Sequence, residues 1–477
     1  MLFNSLEFAI FLPIVFLLYW FVFGKNLKLQ NLFLVVASYV FYGWWDWRFL
    51  VLLAFASLFS YGSGLLIEKY RDTPRKAKTV NVLNIVVNLL ILGVFKYYDF
   101  FVTSFAEAFL GGKTDGLLLK VILPVGISFY TFKALSYSID VYWGKLEPTR
   151  DVIQYLAYVG FFPQLLAGPI ERATNLLPQL AKPRTFEYET GVDGIRQILW
   201  GMFKKIVIAD NCTVYVDRVF STYQTQNGST LLLAAIFFAF QIYGDFSGYS
   251  DMAIGTGKLF GFKTKKNFNM PYFSRDIAEF WRRWHISLTT WFRDYVYIPL
   301  GGSRCSKAKI VRNTFVIFLL SGLWHGANWT FIAWGAFHAI LFLPLILMGK
   351  NRKYRDIVAE GRLFPSLKEL GQMLLTFFLA TVGWIIFKAD SIGLAWDYMK
   401  GICSTTLFSR PDASGVTGFT MAIGIMLLVE WFQRDKEHGF DLSSIKRGVV
   451  RYVAYLAVLF MTFALGGHAV NFIYFQF

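Results

Sequence analysis

Apolar residues occur along the chain in long runs that short polar segments separate. A run of about eighteen apolar residues is long enough for a helix to cross the hydrocarbon core of a bilayer. The runs predict spans near 6–23, 30–44, 48–67, 79–100, 119–142, 152–168, 229–246, 313–348, 369–388, 417–432 and 448–465. The pattern therefore predicts an all-α polytopic integral membrane protein whose 477 residues form a single domain.

The apolar run 313–348 differs from the others because basic residues flank both of its ends. Lys and Arg collect on the cytoplasmic side of membrane proteins, so one straight span cannot have both ends there. Two antiparallel segments that turn near "HGAN" (325–328) satisfy the pattern. A helix that starts at Asn313 rises about 20 Å by His325, past the middle of a core about 30 Å thick. The sequence thus predicts a buried turn, which is tolerated only inside protein or beside a water-filled cavity.

Residues 271–302, "PYFSRDIAEFWRRWHISLTTWFRDYVYIPLGG", are amphipathic. At helical spacing, Trp284 and His285 fall on an aromatic face, and Arg282 and Arg283 fall on the opposite polar face. This pattern predicts one interfacial helix along the cytoplasmic boundary. His285 is then either a packed histidine whose nitrogens are satisfied by neighbours or a group that lines a functional site.

Composition supports a membrane protein, since 56% of the residues are hydrophobic and 19% are aromatic, and mean hydropathy is +0.46. The net charge of +16 is explained by basic cytoplasmic loops beside anionic lipid, so no nucleic-acid partner is predicted. The alternation of these loops predicts an N-terminus outside, and the first apolar run is predicted to be a retained span. The chain contains no CxxC, Walker A, GxSxG or HExxH pattern, and these absences give no support to a zinc site, a P-loop or a serine hydrolase.

The segment "SGLWHGANWT" (321–330) places a histidine inside an apolar run. An ionisable group at such a depth is a functional hypothesis by default, and imidazole suits proton transfer near neutrality. Trp324 and Trp329 would shield His325 from lipid, and Asn328 could hydrogen-bond the ring or a substrate. A structural histidine that bridges two helices explains the same residues equally well.

Further polar positions lie in or near the apolar runs. Gly322 and Gly326 would leave room for a substrate beside the buried turn. In "QIYGDFSGYSDMAIGTGKLFG" (241–261), the carboxylates Asp245 and Asp251 could hold a substrate or satisfy exposed helix-end amides. His338 on the second limb of the turn is more simply a structural residue. Residues 194–212 mix charge with apolar positions and predict a re-entrant or interfacial segment.

Two histidine blocks carry a resemblance that covers nearly the whole chain. "WRRWHISLTTWFRDYVYIPLGGS" and "LLSGLWHGANWTFIAWGAFHA", with "PVGISFYTFKALSYSIDVY", "FFPQLLAGPI" and the terminal "FIYFQF", resemble the membrane-bound O-acyltransferase (MBOAT) family, in particular its bacterial alginate O-acetylation branch. The resemblance implies an MBOAT fold of about eleven transmembrane helices, plus re-entrant and interfacial helices around a central funnel or tunnel. The histidine motifs then lie in a core of about residues 120–350.

The resemblance also implies an activity. Such enzymes move an acyl group from a thioester to a hydroxyl, and here acetyl would pass from cytoplasmic acetyl-CoA, across a bacterial inner membrane, to an extracytoplasmic polysaccharide. The expected catalytic residues are His325, as general base, and His285. The expected substrate-binding residues are Trp324, Asn328, Trp329 and Trp284. The cations expected to bind the CoA phosphates are Lys263, Lys265, Lys266, Arg282, Arg283 and Arg304. No metal is expected.

The expected partners are membrane lipid, acyl-CoA, the polysaccharide acceptor and an extracytoplasmic SGNH (esterase-like) protein that receives the acetyl group. Two alternatives remain open. Within the family, the chain could transfer D-alanine to teichoic acid from a carrier-protein thioester. Outside it, buried ions and broken helices also suit a secondary transporter or a polysaccharide channel, although no repeated halves are found in the sequence.

Overall fold

The computed structural model describes residues 1–114, 116–467 and 470–473, and the last four residues of "FIYFQF" lie outside this range. The described residues form helices and no strands. The α-helices are α1 (Leu6–Leu17), α2 (Leu27–Gly43), α3 (Phe49–Lys69), α4 (Pro74–Lys96), α5 (Tyr98–Phe109), α6 (Ile127–Tyr142), α7 (Val152–Gly160), α8 (Phe162–Leu165), α9 (Ala173–Leu180), α10 (Tyr188–Met202), α11 (Asp210–Ser221), α12 (Gly228–Leu259), α13 (Ile277–Arg283), α14 (Ile286–Phe292), α15 (Lys307–His325), α16 (Trp329–Leu347), α17 (Leu367–Lys388), α18 (Ile392–Ile402), α19 (Thr417–Phe432) and α20 (Gly448–Ala464). The π-helical segments are Leu18–Val22, Phe203–Ala209 and Arg293–Tyr297. Single 3₁₀ turns cover Tyr223–Thr225, Pro271–Phe273 and Thr405–Phe408.

Five of these helices, α3, α4, α12, α16 and α17, are long and apolar enough to cross a membrane. Four shorter apolar stretches cover Leu6–Val22, Leu27–Gly43, Thr417–Phe432 and Gly448–Ala464. The prediction of an all-α membrane protein is therefore confirmed, whereas the count of about eleven spans stays a prediction. Several helices differ in their bounds from the predicted spans, since α6 begins at Ile127, α7 ends at Gly160 and α12 continues to Leu259.

The chain divides into two compact units. Unit 1 contains Met1–Gly194 and Ala253–Lys265, and unit 2 contains Ile195–Met252 and Lys266–Phe477. Two of the three boundaries fall within α10 and α12, so each of these helices contributes to both units. The histidine motifs belong to unit 2.

Unit 1 is built around α3, which packs against α4 and α6. Buried polar side chains join these three helices, because Asn84 on α4 hydrogen-bonds Ser60 on α3 at 3.0 Å and Ser138 on α6 at 2.8 Å. Small and amide residues hold helices together in membranes by such bonds. Gly64 allows the close approach of α6, since a Cβ there would lie 2.6 Å from Cε1 of Tyr137.

In unit 2, α15 and α16 form an antiparallel hairpin. Gly322 near the end of α15 lies against Phe331 at the start of α16, and Gly335 farther along α16 lies against Phe318. The predicted pair of antiparallel segments is confirmed, with the turn at Gly326–Asn328 between the helices. The expected role of the glycines was wrong: a Cβ on Gly322 would lie 2.1 Å from the Phe331 oxygen, and a Cβ on Gly326 would lie 2.1 Å from its ring. They make room for Phe331 and not for a substrate.

The amphipathic segment 271–302 is not one helix. It divides into α13 and α14, and the break falls at Trp284 and His285, where His285 has left-handed backbone angles (φ 42°, ψ 53°). A residue with a Cβ rarely adopts this conformation, so a helical projection of the sequence could not anticipate it. The break also moves Trp284 and His285 off a common helical face.

We expect Gly322→Ala to destabilise the α15–α16 hairpin. The added methyl group would meet the Phe331 carbonyl oxygen, and overpacking of this kind costs about 1–3 kcal/mol. Thermal unfolding of the detergent-solubilised protein measures the effect. Gly62→Ala is the matched control, because a Cβ on Gly62 has no neighbour within 4 Å. Equal melting temperatures for the two variants would contradict the close packing of the hairpin.

Candidate active site

Three histidines of unit 2 lie in one aromatic cluster. We use "the histidine–aromatic cluster" for the three imidazoles and the rings that join them. Its members are His285, His325, His338, Trp281, Trp284, Trp324, Trp334, Trp384 and Phe387. They come from α13, the α13–α14 break, the end of α15, and α16 and α17.

Trp324 connects the two histidines that the sequence singles out. Its ring centroid lies 5.7 Å from that of His285 and 5.1 Å from that of His325. Both contacts are edge-to-face, which is a favourable geometry for aromatic pairs. His285 and His325 are thus brought against one indole, although forty positions of sequence separate them.

His325 is the last residue of α15, and Gly326 continues the chain in an extended conformation. The imidazole is 3% exposed. Trp334 and Phe387 pack edge-to-face on it, with centroid distances of 5.1 Å and 5.4 Å. The end of a helix, rather than its middle, therefore presents this histidine to the aromatic cluster.

His285 is 1% exposed and lies outside the long apolar helices. Its Nδ1 atom lies 3.1 Å from the Asn267 side-chain oxygen. The rings of Phe246, at 4.6 Å, and Phe268, at 6.3 Å, enclose it on other sides. Burial disfavours the charged imidazolium and lowers the pKa of His285 to about 3. The ring is therefore neutral at physiological pH.

His338 on α16 is fully buried, and the rings of Trp281 and Trp334 each lie 5.0 Å from it. Neither of its ring nitrogens has a hydrogen-bond partner among the described residues. Gly383 on α17 approaches it so closely that a Cβ there would lie 2.7 Å from Nε2. This enclosure agrees with the structural role that the sequence favours for His338.

The four predicted substrate-binding residues have different surroundings. Trp324 and Trp284 are buried in the cluster, and Trp284 packs against Trp384 at 4.8 Å. Asn328 is the N-cap of α16: its Oδ1 accepts from Thr330 N at 3.0 Å, and its Nδ2 donates to the Asp390 oxygen at 3.0 Å. Trp329 is 51% exposed. The structure places two of the four in the cluster and two at its connecting turn.

The six cations predicted to bind CoA phosphates also differ. Lys263 and Lys265 are exposed in unit 1, and Arg304 is exposed in unit 2. The other three, all in unit 2, are engaged within the protein. Lys266 donates to Asn269 and to the Lys436 oxygen, Arg282 donates to the Asn351 and Tyr354 oxygens, and Arg283 forms an ion pair with Glu279.

Two adjacent buried lysines were missed by the sequence analysis. Lys205 Nζ lies 2.7 Å from both Asp210 and Asp245. Lys204 Nζ lies 2.6 Å from Asp251 and 3.9 Å from Glu430. Asp245 and Asp251, which the sequence left as substrate ligands or helix-end acceptors, lie inside α12 and pair with these lysines. The re-entrant or interfacial segment predicted at 194–212 consists of α10, a π-helical segment and the start of α11.

The described residues contain no group of three or more His, Cys, Asp or Glu side chains that could hold a metal ion.

Trp334, Trp384 and Phe387 also belong to the histidine–aromatic cluster, although the sequence analysis did not predict them. Aromatic residues are common in apolar spans, so nothing in the sequence distinguishes these rings from rings that face lipid.

Comparisons with known proteins identify the family. The profile of the membrane-bound O-acyltransferase (MBOAT) family matches residues 149–361. The chain is 41% identical over 432 residues to a Pseudomonas aeruginosa protein named "Probable alginate O-acetylase AlgI", and the match covers 90% of this chain and 80% of that protein. The chain belongs to the MBOAT family and is an acyltransferase.

Two further relatives have different names. A Helicobacter pylori peptidoglycan O-acetyltransferase is 34% identical over 431 residues, which cover 84% of this chain and 80% of that protein. A Bacillus subtilis teichoic acid D-alanyltransferase is 30% identical over 284 residues, which cover 56% of this chain and 69% of that protein. The likeness to the two acetylating relatives thus extends over more of the chain.

We expect Lys205→Met to destabilise unit 2 strongly. The substitution leaves Asp210 and Asp245 buried without their cation, and breaking a buried pair in this way costs about 3–5 kcal/mol. Thermal unfolding in detergent measures the loss. Lys400→Met is the control, because the Lys400–Asp397 pair is exposed and such pairs contribute at most about 1 kcal/mol. A Lys205→Met protein as stable as the control would contradict the ion pairing.

Proposed function

We propose that the protein transfers an acetyl group from cytoplasmic acetyl-CoA to a hydroxyl group on the other side of the membrane, for the O-acetylation of an extracytoplasmic polysaccharide. The observation that carries the proposal is the contact of both His285 and His325 with Trp324 in a buried cluster. The names of the Pseudomonas and Helicobacter relatives support acetyl as the transferred group and a polysaccharide as the final acceptor.

In the proposed reaction, His325 is the general base. Its imidazole takes the proton of the attacking hydroxyl while the hydroxyl oxygen forms a bond to the thioester carbonyl carbon. The carbon–sulfur bond then breaks, and the proton passes from the imidazolium to the departing CoA thiolate. The products are an acetyl ester and CoA. General base catalysis of this kind contributes about 10²- to 10⁴-fold to the rate.

The surrounding residues would position the reactants. We assign Trp324 and Trp284 to substrate binding, since both indoles are buried beside the histidines. Asn328 would act through the turn that it caps, because its side-chain atoms already hydrogen-bond protein atoms. Trp329 would contribute from the surface end of α16.

The CoA phosphates require cations that are exposed to the donor. Among the six that the sequence selects, Arg304 of unit 2 is the best candidate, because it is exposed. Lys263 and Lys265 are separate candidates on unit 1. Arg282 and Arg283 are assigned instead to holding the α13 segment, through the Asn351 oxygen and Glu279 respectively.

The acetyl group would leave on the far side of the membrane. We place the protein in the bacterial inner membrane with its N-terminus outside, in accordance with the basic loops. The immediate acceptor hydroxyl would belong to an extracytoplasmic SGNH protein, which passes acetyl to the polymer. A funnel or tunnel that connects the two sides to His325 is part of this proposal.

We expect His325→Ala to abolish acetyl transfer. Loss of the general base removes about two to four orders of magnitude of rate. The O-acetyl content of the extracellular polymer, in a strain that expresses the variant as its only copy, measures the loss. The control is His338→Phe, which keeps a ring among the rings that already enclose His338. This control should keep acetylation within a few-fold of wild type.

The abundance of each variant in the membrane, measured by immunoblot, separates misfolding from lost chemistry. A His325→Ala protein that is present at wild-type abundance and acetylates normally would exclude His325 as the base.

The donor can be tested directly in proteoliposomes. We expect radiolabelled acetyl-CoA to lose its acetyl group to the acceptor, and a D-alanyl carrier protein to transfer nothing, because more of this chain matches the acetylating relatives. Counting the label on the acceptor measures both reactions. Transfer from the carrier protein alone would replace this proposal with D-alanylation, and translocation of an intact substrate without thioester cleavage would indicate a transporter.

A further inference from the structure

The backbone on the C-terminal side of His285 is held by Asn267, which lies eighteen positions earlier in the chain. His285 has a positive φ of 42°, and side chains with a Cβ rarely adopt this region. The two following amides both donate to Asn267: Ile286 N donates to its backbone oxygen at 2.8 Å, and Ser287 N donates to its side-chain oxygen at 3.3 Å. Asn267 therefore anchors the left-handed turn.

The orientation of the Asn267 amide is fixed by its surroundings. A backbone N–H can only donate, so the side-chain atom that faces Ser287 N must be the oxygen. The amide nitrogen donates to Ser250 Oγ at 3.0 Å on the other side. The oxygen also accepts from the Ser287 hydroxyl at 2.8 Å. An exchange of the amide oxygen and nitrogen would place two donors against each other.

This fixed oxygen determines which nitrogen of His285 carries the proton. His285 Nδ1 lies 3.1 Å from Asn267 Oδ1, and an amide oxygen can only accept, so Nδ1 is the donor. In a neutral ring the proton on Nδ1 leaves a lone pair on Nε2. That atom is buried and has no hydrogen-bond partner among the described residues. The rings that pack against His285 are those of Phe246, Phe268 and Trp324, none of which titrates.

We propose that Asn267 is a positioning residue that holds His285 as the Nδ1–H tautomer, so that Nε2 accepts a hydrogen bond from an N–H or O–H group of the substrate. This inference rests on the proposed acyl transfer. It fixes the direction of the hydrogen bond at Nε2 of His285. The ring accepts a hydrogen bond there, and it cannot donate one to the negatively charged thioester oxygen that forms during the attack. The donor is either an amide N–H of the pantetheine arm or the attacking hydroxyl.

The tautomer can be measured without any assay of activity. The full-length protein, labelled with ¹⁵N-histidine and reconstituted in bilayers, contains five histidines, and solid-state NMR distinguishes protonated from unprotonated ring nitrogens. A His285→Phe protein identifies the His285 signals by their disappearance. We expect a protonated Nδ1 and an unprotonated Nε2. A protonated Nε2 in the wild-type protein would overturn the proposal, whatever reaction the enzyme catalyses.

Acetyl transfer in membrane vesicles, measured against pH, tests the role of the lone pair. Asn267→Asp keeps an acceptor for Ser287 and His285, but its carboxylate favours the imidazolium and raises the pKa of His285. Protonation removes the Nε2 lone pair, so transfer should be lost on the acidic side and should recover as pH rises. The pKa of His285 should rise from about 3 by about 1–3 units, which the ¹⁵N-histidine signals measure against pH, and below the raised pKa the Asn267→Asp protein should transfer acetyl more slowly than the control at the same pH.

Ser250→Ala is the matched control, because it removes the partner of the Asn267 nitrogen and leaves the oxygen unchanged. Its transfer should vary with pH as that of the wild type does. An Asn267→Asp protein that transfers acetyl as fast as the control at a pH below its raised His285 pKa would overturn the acceptor role of His285. A change in KM for acetyl-CoA alone would identify the pantetheine amide as the donor, and a change in kcat alone would identify the hydroxyl. If vesicles of the wild-type protein transfer no acetyl at all, the proposed function fails, and the NMR result still decides the tautomer of His285.

Discussion

The buried ion pairs and the left-handed turn of unit 2 depend on one constraint: burying a polar group among apolar side chains is costly unless the group finds a partner within the protein. Lys205 meets it through Asp210 and Asp245. The backbone on the C-terminal side of His285 meets it through Asn267. Where the constraint is met completely, the polar groups are locked in one arrangement. A site that must hold a reactive imidazole away from lipid needs this kind of fixed frame.

The sequence predicts a structural feature when the residues that determine it lie close together in the chain. The α15–α16 hairpin was predictable, because basic residues at both ends of one apolar run leave a single topological solution. The break at Trp284 and His285 was not predictable. A helical projection compares neighbours within one segment, whereas the partner that stabilises the left-handed His285 is Asn267, outside that segment.

Local sequence also failed to reveal the partners of buried charges. Asp245 and Asp251 were interpreted from their own stretch, as substrate ligands or helix-end acceptors. Their partners are Lys205 and Lys204, which a π-helical segment places side by side. A π-helical turn shifts side chains by one position relative to an α-helix, so helical spacing alone gives no warning of such a contact. The role expected for Gly322 and Gly326 was wrong for a similar reason. A glycine in the sequence indicates close packing, but it does not show that the neighbour is Phe331 and not a substrate.

The candidate site is defined partly by the sequence and partly by the three-dimensional arrangement. His325 stands out in the sequence because an imidazole inside an apolar run is unusual, and resemblance adds His285. Only the three-dimensional arrangement shows that Trp324 lies between them and that Trp334 and Phe387 close the far side of His325. Membership of the MBOAT family identifies the class of reaction. The side chains that carry it out are our proposal, which rests on the geometry.

The central claim is that the thioester reacts beside His325, within reach of both sides of the membrane. A cryo-EM structure of the full chain, bound to a non-hydrolysable thioether analogue of acetyl-CoA, tests it most directly. The account predicts density for the acetyl end of the analogue in contact with the His325 imidazole and the Trp324 indole. Density for the acetyl end at a position that touches neither ring would contradict it.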